Sequence, residues 1–173
     1  MKKALSAVLA IVLCLSLVGC TVDEEPSKEL ASVSSTAEER EAVFGLNESA
    51  VFTNLKFTAT EIKESDGTDF FTPEKDNVFV GIKFTIENIS DEAQSVSTML
   101  LFEGYADDIK LEYSVSAACT FDEGTLDGDI APGKKLVGWY ALEAPKDWKT
   151  IELQVQSNWL SNNPAKFVFK NNL

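Results

Sequence analysis

Residues 78–87, Val-Phe-Val-Gly-Ile-Lys-Phe-Thr-Ile-Glu, constrain the fold more tightly than any other part of the chain. Val78, Val80, Ile82, Phe84 and Ile86 share one side of an extended backbone, while Lys83, Thr85 and Glu87 share the other. A period of two residues suits a strand with one face in a core, whereas a helix of period 3.6 would scatter these five around its circumference. Asn88-Ile89-Ser90-Asp91 then supplies the chemistry of a turn.

The same alternation recurs along the chain. Residues 51–63 carry Leu55, Phe57 and Ala59 in phase and Ile62 out of phase, which implies a bulge. Val96, Thr98, Leu100 and Phe102 alternate, as do Ile109, Leu111, Tyr113 and Val115. Leu136, Gly138, Tyr140 and Leu142 follow Ala131-Pro132-Gly133; then come Ile151, Leu153 and Val155, and finally Phe167 and Phe169. Asp66-Gly67, Asp107-Asp108, Asp127-Gly128, Pro132-Gly133, Pro145-Lys146-Asp147 and Asn162-Asn163-Pro164 mark turns between them. No segment shows a helical period of ordinary length. The expectation is an all-β domain over residues 42–173, an antiparallel immunoglobulin-like β-sandwich of seven to eight strands, with a closed barrel as the alternative.

The first 41 residues read differently. Met1-Lys2-Lys3 is a positive start, and residues 4–18 are apolar without a charge. As a helix this run would span about 22 Å, short of the roughly 30 Å hydrocarbon core of a bilayer, so it reads as an export signal over residues 1–19. Leu17-Val18-Gly19-Cys20 resembles the bacterial lipobox. That resemblance implies cleavage before Cys20 and a diacylglycerol thioether on it, and two acyl chains hold a protein stably on a membrane. Residues 20–41 are rich in Ser, Thr, Glu and Lys with few large apolar residues, and read as a flexible linker with a reach of order 25 Å.

Charge and residue types exclude much. The chain holds 15 basic and 28 acidic residues, a net of −13, and losing Lys2 and Lys3 with the signal makes it −15. Nucleic acid as a partner is excluded, because phosphate binding needs clustered Lys and Arg. The same balance leaves lipid on Cys20 as the membrane attachment. There is no histidine, which removes Ser-His-Asp and Cys-His nucleophiles and His-ligated metals. Cys119 is the one cysteine inside residues 42–173, so no disulfide forms within the domain; its neighbours Ser116, Ala117, Ala118 and Thr120 suggest a buried thiol.

Residues 78–90, ending Glu87-Asn88-Ile89-Ser90, resemble a strand and Asn-x-Ser corner of a domain of unknown function common in Gram-positive lipoproteins. The run Leu126-Asp127-Gly128-Asp129-Ile130-Ala131-Pro132-Gly133-Lys134, with Gly138-Trp139-Tyr140-Ala141-Leu142 and Pro145 after it, is similar to that family's Pro-Gly turn and following strand. The resemblance covers about residues 42–170 and implies a telokin-like, immunoglobulin-like β-sandwich. It brings no catalytic residues. Ala106-Asp107-Asp108 departs from the family, which often has Asp-Gly there.

Two groups of residues offer chemistry. The loop acids Asp107, Asp108, Asp122, Glu123, Asp127 and Asp129 include the calcium candidates Asp122, Asp127 and Asp129, although their spacing does not fit an EF-hand loop. Solvated turn acids are the simpler explanation of them. Among the aromatics, Trp139, Trp159 and Phe79 are candidates for an exposed interaction surface, with Trp148, Phe70 and Phe71 in or near loops; a sandwich also buries such residues. No cofactor and no catalytic residue is implied. The resulting expectation is a lipid-anchored, non-catalytic interaction module on the outer face of the cell membrane with an envelope protein partner; the alternative is a lipoprotein that binds a small ligand or a cation.

Overall fold

The computed structural model describes Ser27–Lys28 and residues 42–122, 124–158, 160 and 163–172. Its strands are β1 (Ser27–Lys28), β2 (Val43–Phe44), β3 (Ser49–Val51), β4 (Leu55–Ser65), β5 (Asn77–Asn88), β6 (Gln94–Val96), β7 (Phe102–Ala106), β8 (Ile109–Leu111), β9 (Gly128–Ile130), β10 (Lys135–Pro145), β11 (Thr150–Val155) and β12 (Ala165–Lys170). Two single helical turns, α1 (Thr98–Leu101) and α2 (Val115–Ala118), interrupt them. One sheet has the order β1-β3-β4-β5-β10 and the other β2-β12-β11-β7-β8, with β6 and β9 forming a separate ribbon. Pairing is antiparallel except between β2 and β12. The architecture is the expected sandwich. The strands outnumber the seven or eight expected, because strands of two or three residues are too short to show a period.

The alternation in β5 has the expected cause. Val78, Val80, Ile82, Phe84 and Ile86 all join the core between the sheets. They meet Leu55, Phe57 and Ala59 of β4, Tyr140 and Leu142 of β10, and Ile151, Leu153 and Phe167 from the opposite sheet. Phe84 stands edge-on to both Phe102 (5.4 Å) and Phe167 (5.2 Å), the favoured geometry for aromatic pairs. The bulge falls at Thr60: Ala59 faces Phe84 but Glu61 faces Lys83, and the extra residue returns Ile62 to the inner face.

Two expected strands are broken by helical turns. At Thr98 the backbone N–H donates to Asp127 Oδ1 (2.8 Å), and Leu101 N–H reaches back to Ser97 O (3.0 Å). Leu101 is thereby buried, and Met99 and Leu100 are pushed into solvent. At Ser114 the hydroxyl accepts the Ala117 N–H (3.1 Å), capping α2. The β7–β8 hairpin turns on Asp107 and Asp108, both at positive φ (47° and 68°), the conformation of a two-residue hairpin loop. The Asp107 carboxylate accepts the backbone N–H groups of Lys149 and Thr150 and ties this hairpin to the β10–β11 turn.

Asn88 ends β5 as a buried corner. Its amide donates to Glu92 O and Ile130 O, and its oxygen accepts Ser90 N–H and Oγ–H. Within the segment read as linker, Ser27–Lys28 lies antiparallel to Val51 and Ala50 on the edge of the first sheet.

Candidate functional site

Trp139 and Tyr140 are consecutive on β10 and point to opposite sides of the first sheet. The outer side is covered. Residues 113 and 114 run along β10, where Tyr113 bridges Leu142 and Ser114 N–H donates to Ala141 O (2.9 Å). The chain then crosses the sheet as α2, and Ala117 packs with Phe79 and Ala141 in a second, small core. Phe121 follows and fills the slot that Gly81 leaves: a Cβ on Gly81 would lie 2.8 Å from the Phe121 ring. Phe121 stacks on Trp139 at 5.1 Å, and the Lys63 and Lys83 ammoniums stand over the indole at 5.3 and 5.7 Å. At Gly124 and Thr125 the backbone returns so close to β10 that a side chain at Gly138 would meet it at 2.9 Å.

This cover corrects the sequence reading of the aromatics. Phe79 is fully buried and Trp139 is 4% exposed, so neither offers an interaction surface. Trp148 is buried too, its indole N–H donating to Glu64 Oε1 (2.7 Å). Trp159 and Cys20 lie outside the described residues, as does Glu123. Beside Trp139 a cavity of about 330 Å³ opens between Glu61, Lys63, Asp122 and Phe121. The Trp139 Nε1 donor is sealed within the protein and has no partner among the described residues.

The acids are dispersed. Asp127 accepts both the Thr98 N–H and the Thr98 hydroxyl, Asp129 accepts from Ser95 Oγ, and Asp122 stands at the Trp139 cavity. Among the described residues no three acid, cysteine or histidine side chains gather as a metal group. Cys119, expected to be buried, is exposed at the end of α2, because Ala117 rather than Cys119 faces the sheet.

The inner side of β10 ends at a groove that sequence reasoning missed. Tyr140 stacks on Phe102 at 5.2 Å and meets Tyr113 at 5.5 Å. Together with Leu111 these rings line a groove of about 190 Å³ whose lips are Met99 of α1 and Val115 of α2. Met99 is 80% exposed and Val115 67%, and exposed Leu100 and Ile109 lie in the adjoining α1 and β8. Burial pushes the Tyr140 hydroxyl well above the ordinary phenol range, and the nearby Glu112 and Glu103 carboxylates push it the same way. Tyr113 is raised by burial and then by Asp127. The signal available in the sequence was Ser114, whose hydroxyl caps α2; Ser97 makes no side-chain cap bond at α1.

The fold has relatives among solved structures. The yjhA protein of Bacillus subtilis is similar over 73% of this chain and 98% of its own, with a TM-score of 0.58 and 16% identity. An uncharacterized β-sandwich protein of Clostridium difficile matches 81% of this chain and all of its own length (TM-score 0.52, 17% identity). A Staphylococcus aureus protein named as a candidate lipoprotein matches 70% of this chain and 87% of its own (TM-score 0.51, 18% identity). No curated protein matches the sequence. The family model of a domain of unknown function, DUF4352, matches residues 44–166, which take in both the covered face and the groove, and the chain belongs to that family.

Proposed function

We propose that this protein is a lipid-anchored, non-catalytic interaction module held on the outer face of the cell membrane through Cys20, and that the groove between α1, α2 and β8 is its contact surface. The observation that carries the reading is the pair of exposed side chains Met99 and Val115 at the lips of a groove with an aromatic floor. Burying such side chains against a partner is favourable at about 25 cal/mol per Å², and contiguous apolar exposure marks interaction sites. The tether rests on the lipobox-like Leu17-Val18-Gly19-Cys20, and the candidate-lipoprotein naming of a structural neighbour agrees with it. The absence of histidine from the sequence supports the non-catalytic part.

Two measurements test it. Cys20→Ala should abolish metabolic labelling with palmitate and release the protein from the membrane fraction with its fold intact; retained lipid would overturn the anchor. A photo-crosslinking residue at Met99 or Val115 should form a discrete adduct with an envelope protein in intact cells. Crosslinking that is absent at both positions would overturn the contact surface.

A further inference from the structure

The groove has a charge preference as well as a shape, and that preference rests on the groove being the contact surface of the proposed interaction module. Its volume of about 190 Å³ falls below the roughly 300–1,000 Å³ of ordinary small-ligand pockets, and suits one side chain. Its rim carries Glu103, Lys110 and Glu112. Glu103 is engaged twice, by the Lys110 ammonium at 3.3 Å and by the Tyr105 hydroxyl at 2.9 Å. Glu112 is exposed and forms no ion pair among the described residues. The Tyr140 ring is buried, and its hydroxyl, which bonds no described residue, is open to the groove. There it can exchange water for a polar group of an occupant. Trp139 Nε1 is also unpartnered, but it is sealed beneath the covered face, whereas Tyr140 lines an open groove.

With Glu103 paired to Lys110, Glu112 leaves the rim of the groove with one net negative charge. Anionic occupants are disfavoured, and Tyr140, with Phe102 stacked on it, Tyr113 beside it and 1% of its surface exposed, offers no open ring face to a planar ligand. We propose that the groove receives a lysine or arginine side chain of a protein partner, flanked in that partner by apolar residues. The alkyl stem packs on Leu111, Met99 and Val115. The cationic head donates to Glu112 and to the Tyr140 hydroxyl, and lies against the Tyr113 ring. A free small cation would leave Met99 and Val115 in water; a polypeptide with apolar neighbours covers them.

The sequence supplies a clean reporter. Its two methionines are Met1 and Met99, so methyl-labelled methionine in the full chain, held in non-ionic detergent, reports the groove by NMR. The Met99 signal should shift saturably with n-butylammonium or n-butylguanidinium, which mimic the two side chains, and not with butyrate. Glu112→Gln should weaken this about two- to fivefold, as expected for loss of an ion pair to an exposed carboxylate, and Tyr140→Phe should weaken it too. Equal shifts with n-butanol, an unchanged Glu112→Gln titration, or clearly tighter binding of tetramethylammonium would overturn the proposal; the last result would assign the groove to a free quaternary cation. Crosslinking from Val115 in cells separates the two readings. If adducts persist in Glu112→Gln, the interaction surface stands and the charge preference falls. If none form in the unmodified protein, the surface itself falls.

Discussion

Trp139 and Tyr140 differ by one position on one strand; both are buried and each borders a cavity, but Trp139 does so from the outer face and Tyr140 from the core. Trp139 faces outward, where a sheet face would ordinarily meet water, yet it is closed over by α2 and Phe121. Tyr140 faces inward, where a core would ordinarily seal it, yet it borders an open groove. The difference lies in the connecting segments. Residues 114–122 pass over the outer face because Gly81 and Ala141 leave room for Phe121 and Ala117. The same segment, together with α1, leaves the corner above Tyr140 uncovered and turns Met99 and Val115 outward. Exposure here follows the routing of connections, not the alternation within strands.

The largest effect expected on this contrast is from Phe121→Ala. It removes the ring that stacks on Trp139 and should cost about 2–4 kcal/mol, with a red shift in Trp139 emission, read by chemical denaturation and fluorescence. Gly81→Val should cost about 1–3 kcal/mol by driving the Phe121 ring off the sheet, since a Cβ alone already meets it at 2.8 Å. Combining Gly81→Val with Phe121→Ala sharpens the point: the two costs should sum to more than the cost of the double variant, because the clash disappears with the ring. Strict additivity would mean that the slot and the ring are not coupled.

At the open corner the effects shrink. Asp127→Ala removes the acceptor of the Thr98 N–H and hydroxyl, and should cost about 1–2 kcal/mol and loosen α1, seen as faster amide exchange at Thr98 and Leu101. Met99→Ser and Val115→Ser should change stability by no more than about 0.5 kcal/mol, since both side chains are mostly in water. Those substitutions should nonetheless weaken partner crosslinking. A large loss of stability from either would show that the corner is structural.

The parts of the fold that were legible in the sequence are those where one physical requirement acts along many residues. β11 and β12 each bury one face, β5 and β10 keep the same alternation on their inner face, and Ile62 announces the bulge at Thr60 by leaving the phase of Phe57 and Ala59. The residues around Thr98 and Val115 were misread because their alternation is real but is overruled from a distance, by Asp127 at Thr98 and by Ala141 at Ser114. That misreading also hid the groove, whose lips are made by the two turns. The aromatics were misassigned for a related reason. Phe79 and Trp139 do lie on the outer face, and nothing within their own strands tells that residues 114–122 will lie across it. Asp107 and Asp127 looked like a surface cluster and instead serve backbone N–H groups on neighbouring segments.

The central claim is that contact is made at the open corner and not at the covered face. A photo-crosslinking residue placed in turn at Met99, on the groove, and at Ser116, exposed on the covering α2 turn, tests it in intact cells with the full-length protein. The account predicts a discrete adduct from Met99 and none from Ser116. An adduct from Ser116 with none from Met99 would contradict it.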